Sequence, residues 1–129
     1  KIRGWEKLQE LKSEYSLGKL QADGFVGFVN AFTGKTKYFF IESDKTDSRN
    51  QFKKVQLYNN LYRSGAYLKE AWVKQTDKFP EILIVTDTVN KQEKIKRHIN
   101  EDNKEGLLFN VITVQEIKTF LFDNNNLIM

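Results

Sequence analysis

Apolar and polar positions along the chain divide it into eight elements. Trp5, Leu8 and Leu11 recur at helical spacing, with Tyr15 four residues on, which predicts a helix over residues 5–15 ended by Ser16-Leu17-Gly18. The apolar run Phe25 to Val29 and the stretch Lys37-Tyr38-Phe39-Phe40-Ile41-Glu42-Ser43-Asp44 predict a strand pair, roughly 20–30 and 36–43, turning near Thr33-Gly34-Lys35. Asp47 or Ser48 suits the start of a helix running to about Ser64, and Gly65 suits its end. Residues 66–79 are ambiguous, because Trp72 and Val73 fit either the start of a short strand or the close of a helix. After Pro80, Glu81 to Thr86 is a strand dense in β-branched residues. Asp87 or Thr88 caps a helix from about 89 to 101, Leu107 to Thr113 is a further strand, and Val114 to Phe122 a last helix. Strands 81–86 and 107–113, joined through a helix, make a parallel βαβ unit. The expected fold is α/β, a mixed central sheet flanked by helices on both faces.

Composition narrows this picture only modestly. A chain of 129 residues fits one domain with one core, and no internal repeat or linker divides residues 1–129. The start at Lys1-Ile2-Arg3-Gly4-Trp5 reads as a domain excised from a longer protein, whose neighbours would carry specificity. Twenty-one basic against 17 acidic residues give a net charge of +4, which permits a nucleic-acid partner without demanding one. There is no cysteine, so disulfides and thiolate metal sites are excluded, and a cytoplasmic setting is compatible. No apolar run approaches the roughly 20 residues that span a bilayer, so no membrane partner is expected.

The candidate chemistry lies at the acidic end of the second strand. Residues two apart on a strand share a face, so Glu42 and Asp44 point the same way. Asp23, just before the preceding apolar run, is brought alongside by the hairpin. Clustered carboxylates repel one another unless a proton or a cation joins them, and hard divalent ions such as Mg2+ or Mn2+ favour such oxygen clusters. On the following helix, Phe52, Val55, Leu57, Tyr58, Leu61 and Tyr62 fill one apolar arc, while Lys53, Gln56, Asn59 and Asn60 fall outside it. Lys54 falls inside the arc, on a stripe with Gln51 and Tyr58. An inward lysine is costly unless an anion receives it, and Glu42 and Asp44 are placed to do so. Together these residues suggest a metal-dependent phosphodiester site, with Lys54 offsetting charge at the phosphate and Tyr58 shaping the site. Lys45 faces the other way if the strand continues, Glu14 is a more distant carboxylate, and His98 has no partner in the sequence. Lys91, Lys94 and Arg97, with Lys96, form a basic helix face suited to DNA phosphates. Each residue also has a plainer reading: Asp23 as a strand start, Lys54 reaching past Leu61 to solvent, Tyr58 and Tyr62 as core aromatics, and the basic face as solvated surface.

These residues carry a family resemblance. Ala22-Asp23 followed by Glu42-Ser43-Asp44 resembles the PD-(D/E)xK nuclease superfamily, with Ala22 in the proline position and Asp44 in the lysine position. Some members move that lysine to the next helix, where Lys54 is the matching residue. More narrowly, Asp23-Gly24-Phe25, Glu42-Ser43-Asp44-Lys45-Thr46, Lys54 with Tyr58, and Tyr62-Arg63-Ser64-Gly65 resemble the replication-relaxation proteins of plasmids and mobile elements, over about residues 20 to 86. The resemblance implies a restriction-endonuclease-like fold and a relaxase-like DNA nicking or cleavage activity with Mg2+ or Mn2+ held by Asp23, Glu42 and Asp44. The alternative is a non-catalytic DNA-binding or assembly module that keeps the nuclease fold.

Overall fold

The computed structural model describes residues 7–30, 32–44 and 54–117, with side chains from Glu14 onward. Its elements are β1 (Lys7–Leu17), β2 (Leu20–Val29), β3 (Thr36–Asp44), α1 (Val55–Ser64), β4 (Glu81–Thr86), α2 (Val89–Asp102) and β5 (Phe109–Thr113). The strands form one mixed sheet in the order β1-β2-β3-β4-β5. The first three strands run antiparallel through hairpins, and β3, β4 and β5 run parallel.

The first element is a strand where helical spacing predicted a helix over 5–15. Tyr15 and Leu17 are buried while Glu14 and Ser16 are exposed, a period of two. Gly18 takes a φ of +58° in the two-residue loop that returns Leu17 against Leu20. Pairing with β2 supplies β1 with backbone partners along its length, and this overrides the i, i+3 spacing of Leu8 and Leu11.

The described helices also lie on one face of the sheet, where helices on both faces were expected. Tyr58 and Leu61 of α1 and Ile95 of α2 pack in one core with Phe40, Ile82, Ile84 and Val111. Strands β3, β4 and β5 step the same way across the sheet, and right-handed crossovers that step the same way leave their helices on one side. On the other face Phe39, Leu83 and Ile112 form a second cluster, joined by Ile117. The expected last helix begins there as a short 3-10 turn, Val114–Glu116, and its remainder falls outside the described residues. The ambiguous segment 66–79 resolves into two 3-10 turns, Ala66–Lys69 and Ala71–Gln75, and Trp72 is buried in the core. Of the helix expected over 47–64, residues 47–53 lie outside the described residues, including Gln51 and the caps Asp47 and Ser48; Lys45 lies there too. Gly65 ends α1 in the left-handed conformation, as a helix C-terminus favours. Thr88 caps α2, its side chain accepting from the N–H of Lys91. No helix among the described residues is long and apolar enough to cross a membrane.

Candidate functional site

Along β3 the even-numbered residues face the helices. Tyr38 and Phe40 are core aromatics, and Glu42 and Asp44 continue the same buried row while Ser43 is exposed. A strand entering a helix-covered face therefore ends in two carboxylates on the core side. Glu42 is only 2% exposed. A carboxylate in that position needs partners, and α1 supplies them.

Lys54 and Tyr58 stand four residues apart, one helical turn, so their side chains lie on the same stripe. The Lys54 carbonyl accepts the N–H of Tyr58 at 3.0 Å, which fixes Lys54 as the entry residue of the helix. Lys54 Nζ donates to Glu42 Oε1 at 2.9 Å and to the Gln21 carbonyl at 2.5 Å. Tyr58 donates its hydroxyl to Glu42 Oε2 at 2.5 Å. Both carboxylate oxygens are thus engaged from one helix. The lysine side chain is 31% exposed, so the pair opens to water on the lysine side only.

Electrostatics follow from this burial. Loss of water is the largest influence on Glu42 and pushes its carboxyl above the ordinary value, against the lowering effect of the Tyr58 and Lys54 bonds. The nearby charge of Asp23 pushes it up further. Tyr58 is fully buried and packs against Phe40 and Phe109. Burial first, then the charge of Glu42, raises its phenol far above the ordinary range, so it remains protonated and acts as a donor.

Asp23 occupies an irregular point of β2. Leu20 and Ala22 are buried before it and Phe25 and Gly27 after it, so the alternation breaks at Asp23-Gly24. In the facing strand Glu14 adopts a φ of +53°, in the left-handed region, between the pairs Ser13↔Gly24 and Tyr15↔Ala22. Glu14 therefore lies across from Asp23, with its side chain exposed. Asp23 is exposed too, and its Oδ2 accepts the N–H of Ser43 at 2.8 Å. That bond ties β2 to β3 one step beyond the last pair of the ladder, Gly24↔Ile41. Asp44 is buried across from Thr86 of the parallel neighbour. Among the described residues, no three acidic or histidine side chains stand together in an arrangement that could hold a metal ion.

Two participants have no clear signal in the sequence. One is the Gln21 carbonyl, a backbone group that helps to fix Lys54. The other is Thr86, fully buried, whose hydroxyl finds no hydrogen-bond partner among the described residues. Its place at the end of an apolar strand, like that of Asp44, is the only hint. Asn59 departs from expectation as well. It lies outside the apolar arc yet is 1% exposed, because its amide donates to Val55 O and Asn103 Oδ1 and its oxygen accepts from Glu105 N.

The basic residues are set on α2, which starts just past the end of β4. Lys94 and Arg97 are exposed, and Lys91 is partly buried and pairs with Asp87 at 3.2 Å. Lys96 pairs with Glu93 at 3.7 Å. Lys91, Lys94 and Arg97, together with Thr88, line a depression of about 430 Å3. No protein-family model matches the chain, and comparisons with curated proteins and with solved structures gave no match either.

Proposed function

We propose that the chain is a metal-dependent DNA nicking or cleavage domain of the replication-relaxation type, with a restriction-endonuclease-like fold and a cytoplasmic site of action. The observation that carries this reading is the 2.9 Å contact between Lys54 Nζ and Glu42 Oε1. It joins a lysine on the helix after β3 to the acidic end of that strand, as the displaced lysine of such nucleases requires. Asp23, Glu42 and Asp44 are hard oxygen donors of the kind that Mg2+ or Mn2+ takes, but they do not stand together as an ion site here, so an ion would have to draw them together. Burial is the main reason that the Glu42 carboxyl lies above its ordinary value, with the charge of Asp23 a smaller addition, and a cation there would favour its ionised form. When bound, the ion would polarise the scissile phosphate. Lys54, open to water on one side, offers its charge where negative charge develops on that phosphate. Tyr58 holds the second oxygen of Glu42 and orients the carboxylate. Its buried, proton-donating hydroxyl makes it a poor nucleophile, so water is the attacking group in this reading. Lys91, Lys94 and Arg97 supply phosphate contacts.

A second reading, a DNA-binding or assembly module without catalysis, draws on a different observation. Both oxygens of Glu42 are already occupied by Lys54 and Tyr58, as they would be in a purely structural cluster. Plasmid nicking separates the two. Wild-type protein with Mn2+ or Mg2+ is expected to relax supercoiled DNA that carries the parent element's origin, EDTA to stop it, and Glu42→Gln to abolish it while the protein stays folded. Lys54→Met, which keeps the stem and removes the charge, should lower the rate more than metal affinity. Equal nicking by wild type and Glu42→Gln would eliminate this active site, and DNA binding without nicking would favour the second reading.

A further inference from the structure

A cavity of about 530 Å3 opens at the end of β3 far from Glu42, a volume typical of small-molecule sites. Thr36, which lines it, lies six residues from Glu42 along the strand, roughly 20 Å at the usual rise per residue. Thr36 is 2% exposed, and its hydroxyl has no hydrogen-bond partner among the described residues. Buried polar groups are ordinarily bonded, so an unpartnered hydroxyl in a cavity wall marks a place for a ligand atom.

Charge at the cavity favours an anion. Lys35, Lys37 and Lys78 line it against two carboxylates, Asp77 and Glu81. Lys37 and Glu81 form a half-buried pair at 3.1 Å, 18% and 17% exposed, and neutralise each other. Lys35 and Asp77 pair at 2.8 Å but are 62% and 64% exposed, and such pairs contribute little, so Lys35 can be shared with an incoming anion. Lys78 makes no ion pair among the described residues. The rest of the wall mixes the polar Asn30, Thr33 and Thr76 with the larger Tyr38, Phe79 and Leu108. Phe79 is held by edge contacts with Tyr62 and Tyr67 at 5.4 and 5.0 Å, and Leu108 is 62% exposed beside it.

We propose that this cavity binds a nucleoside phosphate, with the phosphate at Lys78 and Lys35, the planar base against Phe79 and Leu108, and the Thr36 hydroxyl bonded to a sugar or base heteroatom. The same chemistry is offered by a free nucleotide and by the phosphorylated end of a DNA strand. The inference goes beyond the cleavage reading and does not need it, since the two sites lie at opposite ends of one strand.

Titration calorimetry on the full chain tests it with dAMP, deoxyadenosine, inorganic phosphate, and short single-stranded DNA with and without a terminal phosphate. Saturable binding of dAMP is expected, tighter than that of deoxyadenosine or of phosphate alone. Lys78→Ala should weaken it about tenfold, in line with loss of one charge-assisted bond. Thr36→Val, nearly isosteric, should weaken it by a smaller factor, and Glu42→Gln should leave it unchanged. If only the phosphorylated oligonucleotide binds, and binds through Lys78, the site receives a strand end; if dAMP binds as well as the oligonucleotide, it receives a free nucleotide. The inference is overturned if neither dAMP nor the phosphorylated oligonucleotide binds, if binding ignores both Lys78→Ala and Thr36→Val, or if phosphate alone binds as tightly as dAMP.

Discussion

Glu42 concentrates the tension between burial and charge in this molecule. Its carboxyl sits at the end of an aromatic strand row, and its stabilising partners come from a single helical turn. Loss of water still outweighs those partners, so its folded-state pKa lies above the ordinary 4.5. The folded protein then holds this proton more tightly than the unfolded chain does. Glu42's contribution to stability is full below about 4.5 and is lost as pH rises through the raised value. Glu42→Gln cannot titrate there. Its stability relative to wild type should therefore improve as pH rises from acid to neutral, followed by urea unfolding across that range. A stability difference independent of pH would mean that Glu42 titrates like an exposed carboxylate. Tyr58→Phe removes one bond that lowers the pKa and should widen the effect.

At the scale of elements, α1 carries the site's logic, and part of it was readable beforehand. The position of Lys54 inside the apolar arc of its helix follows from angular spacing alone, and its amine does reach Glu42. The strand pair, β4 and the capped α2 were also legible, because alternation, β-branched density and Thr88 are local signals. The first strand was not legible. Leu8 and Leu11 mimic a helical repeat, and only pairing with β2 decides between the two periods. The one-sided arrangement of helices was hidden too, since it depends on the order in which strands join the sheet. Asn59 escaped for a similar reason, because its partners lie 44 and 46 residues away, at Asn103 and Glu105. Removing its amide should leave the N–H of Glu105 and the side chain of Asn103 short of partners. Asn59→Ala should therefore cost about 2 kcal/mol, read from the urea midpoint, while Asn60→Ala on the exposed side should cost far less. Similar costs for both would show that the Asn59 bonds do not hold α1 to the segment after α2.

For the whole molecule, the net charge of +4 matters less than its placement. Asp44 and Thr86 mark the carboxyl end of the parallel strands, and α2 departs from that same edge with its basic residues. Open α/β sheets commonly bind ligands at this edge. If DNA lies across it, the phosphates should follow α2 while the acidic cluster faces one backbone position. Binding would then release counterions, and its logarithmic dependence on salt should steepen by about 0.9 for each phosphate neutralised. Lys94 and Arg97 are exposed and free to contribute a full contact each. Lys91 is tied to Asp87 at 3.2 Å and should contribute less. Anisotropy titrations of labelled duplex over a range of salt should accordingly show a slope shallower by about one for Lys94→Ala and for Arg97→Ala, and by a smaller amount for Lys91→Ala. Glu42→Gln should leave the slope unchanged, because it alters the acidic cluster and no phosphate contact. Because Lys94 and Arg97 lie on the surface, their loss should leave the fold intact, and a slope unchanged in the Lys94→Ala/Arg97→Ala double variant would place the DNA on another face of the protein.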